Sequence, residues 1–290
     1  LEDVTVQSDG KILIGGLFYS YTAARGTSIA RLNSDRKLDL TFYPGLGFNA
    51  ETYAITEQPD GKILVGGSFT NYNGSLANSI VRLNANGSID NTFTTGSGLE
   101  GTLYYVQVYS IALQADGKII LGGEFITFNG MARSNIVSLN ADGTLDPTFD
   151  PGTGFDAKVE VVKIQPDGKI LVGGQFQNYN GTNKERIIRL NPDGSVDAGF
   201  NAGGSGPDYT VKAIGLQADG KIIAGGYFSY YNGASAGAVV RLNTDGTPDN
   251  TYTTGSAFSV AFGAVVTGLV IQSDGKVVFA GAFNSFNGTQ

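Results

Sequence analysis

Neither histidine nor cysteine occurs among the 290 residues. Ser–His–Asp triads, Cys–His pairs and thiolate metal sites are therefore excluded, and with them the usual general base near neutral pH. What remains is the chemistry of carboxylates, cationic side chains and aromatic rings. A carboxylate pair of the glycosidase kind would suffice for hydrolysis. Glu51, Glu100, Asp156, Glu160, Glu185 and Asp208 lie in or beside variable segments, but no spacing joins two of them as acid and nucleophile. The chain reads as a non-enzyme with no cofactor.

The other chemistry-bearing residues recur in register. Asp-Gly-Lys begins at residues 9, 60, 116, 167, 219 and 274, at spacings of 51, 56, 51, 52 and 55. Its lysines (Lys11, Lys62, Lys118, Lys169, Lys221, Lys276) form either a site for an anionic partner or a set of solvated turn charges beside their own aspartates. A second motif, Asn-x-Asp-Gly-x-x-Asp, appears as Asn140, Asp142, Gly143 and Asp146. It is oxygen-rich like a calcium loop but lacks the third early carboxylate and the closing glutamate. Asn and Asp also build such turns by bonding their own backbone, and metal-free hairpins are the expectation. Arg31, Arg82, Arg189 and Arg241 are placed to pair with a carboxylate of their own repeat, as Arg82 with Asp90. An aromatic residue precedes Asn-Gly at Tyr72, Phe128, Tyr179, Tyr231 and Phe286, with Tyr21 in the first copy. Exposed, these rings would stack on sugar faces. Buried, they would plug the space between repeats, and their regularity favours that, because a structural unit repeats while a site for one ligand need not.

The elements that hold these residues follow from the best copy, Ile55 to Phe93. It predicts four strands: 53–58, 62–69, 79–84 and a short polar one near 89–93. Asp-Gly between the first two and Asn-Gly between the last two are hairpin signals, since both turn residues tolerate positive φ. The second and third strands are apolar on both faces (Ile63, Leu64, Val65; Ile80, Val81, Leu83), as in a sheet covered on both sides. A four-stranded meander with this period is a propeller blade. A parallel β-helix is the alternative, but Asp-Gly hairpins imply antiparallel pairing. The chain therefore reads as all-β, a β-propeller of about six four-stranded antiparallel blades forming one domain over 1–290. The repeats run approximately 1–50, 51–104, 105–157, 158–209, 210–262 and 263–290, and the last is incomplete. The Gly pairs at 15–16, 66–67, 122–123, 173–174 and 225–226 sit inside strands with no helix following. They suit close blade contact and not phosphate binding.

The pattern QPDGKILVGGxFxxYNG…IVRLNxDGxxDxTF resembles the delta-60 repeat, a β-propeller family of largely unknown function. The resemblance covers essentially the whole chain and recurs in register. Local departures are Arg36-Lys37 in place of the usual turn pair and Ser138 in place of the recurrent arginine. It implies a module of a large secreted or surface-attached bacterial protein, or of a phage structural protein.

Composition agrees. The 43 glycines suit many tight turns, and 41% hydrophobic residues suit a globular core. A formal net charge of −7 argues against non-specific nucleic-acid binding, and no apolar run approaches the ~20 residues of a membrane span. The start at Leu1 suggests a mature form or fragment.

In propeller geometry both tight hairpin turns fall on one end and both variable connections on the other. Variable loops on a rigid scaffold carry binding. The expected ligand-binding residues are Tyr21, Arg25, Tyr72, Phe128, Arg133, Tyr179, Lys184, Arg186 and Tyr231. The expected partners are other protein domains or subunits of an extracellular, cell-surface or virion assembly; the alternative is a cell-surface glycan bound by a lectin-like adhesion module.

Overall fold

A computed structural model describes residues 1–21, 24–25, 28–101, 106–252, 258–259 and 264–286; for 20–21, 24–25, 258–259 and 286 it describes the backbone alone. Among these residues every regular element is a β-strand, and the chain forms two compact units, Leu1–Pro147 and Thr148–Gln290.

Among the described residues the first unit holds three large antiparallel sheets of three strands, besides a small one of two-residue strands, Leu99–Glu100 with Thr127–Phe128 and Met131–Ala132. The large sheets are Asp3–Val6, Ile12–Gly15 and Ile29–Leu32; Thr52–Glu57, Ile63–Gly67 and Ile80–Leu83; and Gln107–Leu113, Ile119–Glu124 and Ile136–Leu139. The second unit repeats the pattern with Val159–Ile164, Ile170–Gly174 and Ile187–Leu190, then Val211–Leu216, Ile222–Gly226 and Val239–Leu242. It ends in a two-stranded sheet, Val265–Ile271 with Val277–Ala282. In each complete sheet the middle strand is buried on both faces, as at Ile63, Leu64 and Val65. The propeller reading and the incomplete sixth blade of the sequence agree with this architecture.

The expected fourth strand contracts to one bridge per repeat, such as Leu83↔Ile89 or Leu190↔Val196. The cause is local. Oδ1 of Asp90 accepts the Thr92 amide at 3.0 Å and the Thr92 hydroxyl at 2.7 Å. This closes a turn that takes the chain out of the sheet after one pair. The connection between the second and third strands, expected to be a loop, is itself a hairpin: Asn71–Tyr72 with Ser75–Leu76, turning at Asn73 and Gly74 with φ of 48° and 82°.

The first strand of five sheets carries the same β-bulge, between Thr52/Ala54, Val108/Ser110, Val159/Val161, Val211/Ala213 and Val266/Gly268. The glycine pairs in the second strand explain it. A Cβ on Gly67 would lie 2.1 Å from the Glu51 carbonyl oxygen, and one on Gly123 2.0 Å from that of Gln107. The second glycine of the pair thus makes room for the bulge. A Cβ on the first, Gly66, would lie 2.6 Å from Val108 Cγ1 of the next sheet. The first glycine sets the close approach of neighbouring blades.

Candidate functional site

The recurrent aromatics are core residues. Tyr72, Phe128, Tyr179 and Tyr231 are each at most 2% exposed. The incoming chain of the preceding repeat pairs with their short hairpins, through Phe48↔Tyr72, Phe155↔Tyr179 and Pro207↔Tyr231. This turns the rings inward, onto Phe48 and Phe155 at 4.5 Å between centroids. The tyrosine hydroxyls donate to the buried carbonyls of Gly87, Gly194 and Gly246 at 2.5, 2.6 and 2.8 Å. Burial raises all three phenol pKa values. The buried reading that their regularity favoured holds at these four positions, and their naming as ligand-binding residues is corrected: the three tyrosines tie the short hairpin to the turn after the third strand. The side chains of Tyr21, Arg25 and Phe286 lie outside the described residues.

Two of the cations expected to bind ligand are engaged by their own chain neighbours. Arg186 is paired with its neighbour Glu185 at 2.8 Å and its side chain is 13% exposed. Arg133 folds back on the Ala132 carbonyl at 2.7 Å. Lys184 is half-buried at a cleft of ≈ 230 Å³ lined also by Asp197, Phe200 and Asn201.

At the tight-turn end, the repeated charges form one ion cluster per repeat. Asp90 Oδ2 meets Lys62 Nζ at 3.0 Å and Arg82 Nε at 2.7 Å. Asp39, Asp197 and Asp249 do the same with Lys11 and Arg31, Lys169 and Arg189, and Lys221 and Arg241. Where Ser138 replaces arginine, Asp146 keeps Lys118 at 3.1 Å and gains the Ser138 hydroxyl at 2.9 Å. Three of the four arginines also reach onward: Nη1 of Arg31, Arg82 and Arg189 donates to the carbonyls of Ala85, Ala141 and Thr244 in the next repeat. Their guanidinium groups lie 4.8–4.9 Å from the rings of Phe42, Phe93 and Phe200. Burial acts to raise the carboxyls of Asp39 and Asp90, but hydrogen bonds from threonine, lysine and arginine outweigh it and hold both well below the usual range. The Lys169 ammonium, with the Gly199 amide and Arg189, holds Asp197 at about 2 against burial. These clusters join consecutive blades, and the pairing expected of Arg82 with Asp90 is present. Asp142 is likewise engaged in its own turn, accepting the Thr144 amide at 3.0 Å and hydroxyl at 2.6 Å. Among the described residues no three acidic side chains are arranged to hold a metal ion.

Of the acids in the variable segments, Asp156 and Asp208 brace hairpins, accepting the amides of Gln177 and Asn178 and of Ser229 and Tyr230 at 2.9–3.0 Å. Glu100 accepts the Thr127 hydroxyl at 2.8 Å.

The non-repeated chemistry lies at the bulges. The residue pushed out of register is Tyr53, Tyr109, Glu160, Lys212 or Thr267 in successive copies. A bulge re-aims the side chain it displaces. In the first unit, Tyr53 and Tyr109 lie 5.1 Å apart between centroids with the rings tilted by 43°. Tyr53 Oη donates to Glu51 Oε2, Tyr109 Oη donates to Gln107 Oε1, and Gln107 Nε2 reaches Tyr53 Oη at 3.4 Å. Burial first, and then the Glu51 carboxylate, push the Tyr53 phenol up to about 12. In the second unit Lys212 Nζ pairs with Glu160 Oε2 at 3.4 Å, and Gln175 donates to Glu160 Oε1 at 3.0 Å. These bulge residues were not legible as a set. The signal was present in the two residues that precede each first strand's apolar core, but only the register shift singles out one of them.

The family described as "Domain of unknown function (DUF5122) beta-propeller" matches residues 7–42, 58–93, 114–149, 165–200, 217–252 and 272–290. No curated protein matches the chain. Among solved structures, PorZ, a surface component of the type-IX secretion system of Porphyromonas gingivalis, aligns with TM-score 0.53 and 13% identity over 97% of this chain and 39% of its own. The extracellular domain of BT4673 from B. thetaiotaomicron aligns with TM-score 0.45 and 12% identity over 97% of this chain and 37% of its own. Virginiamycin B lyase from Staphylococcus aureus aligns with TM-score 0.48 and 16% identity over 96% and 83%. The chain thus spans well under half the length of two of these three. At these identities the likeness is one of fold. Among the described residues no helix is long and apolar enough to cross a membrane.

Proposed function

This chain belongs to the DUF5122 family of β-propellers, and we propose that it is a non-catalytic recognition module of a larger secreted, cell-surface or virion protein. In this reading its six repeats, of the delta-60 type, form one domain. One observation carries the reading: the bulged position keeps its backbone geometry in five sheets while its side chain changes from phenol to carboxylate to ammonium to hydroxyl. A position that served folding alone would repeat its chemistry, as the Lys–Asp–Arg clusters do. A rigid scaffold presenting varied groups binds with little ordering cost. The absence of histidine and cysteine from the sequence removes the commonest general base and the thiolate nucleophile, and the Glu160 carboxylate is bound up with Lys212 and Gln175. The secreted or surface setting rests on the resemblance of the repeats; PorZ, which shares the fold, is itself a surface component.

The test is photo-crosslinking with a reactive residue at Glu160 or Thr267, compared with the same residue at Ser195 in a tight turn, with the source cell surface or virion as bait. Discrete adducts from the bulge positions alone support the proposal. Equal adducts from Ser195 overturn the assignment of the binding end. Hydrolysis of a glycan on the order of 1 per second or faster overturns the non-catalytic reading.

A further inference from the structure

Among the described residues the first unit holds two such bulges, and both carry tyrosine, Tyr53 and Tyr109. Each tyrosine also donates to a polar residue two positions before it, Glu51 and Gln107. The hydrogen bonds run in one direction: Tyr109 hydroxyl to Gln107 carbonyl oxygen, Gln107 amide to Tyr53 hydroxyl, Tyr53 hydroxyl to Glu51 carboxylate. All four side chains are half-buried. The relay orients both rings and both polar groups before any ligand arrives.

We infer that this cluster is a binding site for a neutral saccharide, whose ring stacks on the Tyr53–Tyr109 surface while adjacent hydroxyls bond to Glu51 and Gln107. The inference rests on the recognition reading above and gives that site its ligand class. Two features of the geometry select the ligand. Rings 5.1 Å apart touch one another, so they form one continuous tilted surface and leave no slot between them for an ammonium group, which an aromatic cage would need. The charge beside them is the Glu51 carboxylate, reinforced at Tyr53 by Glu2, which disfavours uronic acids and other anionic sugars. A carboxylate with an amide beside it accepts from and donates to a vicinal diol. A pyranose in turn offers apolar C–H groups to an aromatic face, whose quadrupole is negative there.

The experiment is an array of neutral and uronic-acid-containing oligosaccharides probed with the purified chain, followed by titration of the best neutral glycan. Saturable binding to neutral glycans is expected, weakened about tenfold or more by Tyr109→Ala or Tyr53→Ala, the fold-change expected from losing one ring contact. Tyr227→Ala, an exposed tyrosine of the second unit, serves as control and should bind as the parent chain does. Should an alanine variant fail to fold, Glu51→Gln takes its place: it keeps the shape, and is expected to admit acidic glycans that the parent excludes. No binding to any neutral glycan overturns the inference. So does binding that survives both alanine variants, a parent preference for acidic glycans, or acidic glycans excluded as before by Glu51→Gln. If glycans fail while bulge-position crosslinks capture a protein, the saccharide assignment falls and the recognition reading stands.

Discussion

Replacing Tyr179 separates a core residue from a ligand-binding one. Its ring is 2% exposed and lies 4.5 Å from Phe155. Its hydroxyl donates at 2.6 Å to the Gly194 carbonyl, which is itself buried. Tyr179→Phe keeps the ring and strands that acceptor, costing about 1–2 kcal/mol. Tyr179→Ala removes the ring as well, for a total of about 3–5 kcal/mol. The third repeat supplies the reverse case. Phe128 occupies the equivalent place at 0% exposure, and the carbonyl fifteen residues on, that of Gly143, is buried. Phe128→Tyr should therefore gain up to about 1 kcal/mol. Urea unfolding followed by circular dichroism orders the four proteins as Phe128→Tyr, parent, Tyr179→Phe, Tyr179→Ala. A Tyr179→Ala midpoint equal to the parent's would refute the core assignment, and Tyr179→Phe without effect would remove the hydroxyl from the account.

The ion clusters predict acid lability. The Asp197 carboxyl is held at about 2, below its ordinary value of 3.8. The stability it contributes is therefore fully present above about pH 4 and lost as pH falls toward 2. Lys169→Met should raise that carboxyl in an NMR titration and move acid unfolding to higher pH. Arg82→Lys keeps the charge but loses the fork that reaches Asp90, Thr92 and the Ala141 carbonyl together, and should destabilise by about 1–3 kcal/mol in chemical denaturation. An unchanged midpoint would show that the arginine does not join the blades. Gly67→Ala places a Cβ 2.1 Å from the Glu51 carbonyl oxygen. It should cost about 1–3 kcal/mol or more, whereas Gly74→Ala, with nothing within 4 Å of its Cβ, bears only the strain of φ +82°. Equal losses from the two would contradict the role given to the glycine pair.

Periodicity alone determined the class of fold, the two hairpin turns and the Arg82–Asp90 pairing. Each of these depends on residues close in sequence: Asp-Gly bends locally, alternation of apolar residues reports two covered faces, and Asp90 lies only eight residues from Arg82. The fate of the repeated tyrosines depended on a chain segment more than twenty residues earlier, Phe48 beside Tyr72 or Phe155 beside Tyr179, pairing with their hairpin and closing over the rings. No pattern within one copy could distinguish a ring on the rim from a ring in the core. The bulge residues were hidden for a related reason. Tyr53 and Tyr109 are separated by one full repeat in sequence and meet only because Gly66 lets Val108 of the next sheet approach closely, while Gly67 and Gly123 give each strand room to bulge. Local sequence determined which strands and turns form; the approach of neighbouring blades decided which side chains face one another, because that distance is set by atoms about fifty residues apart.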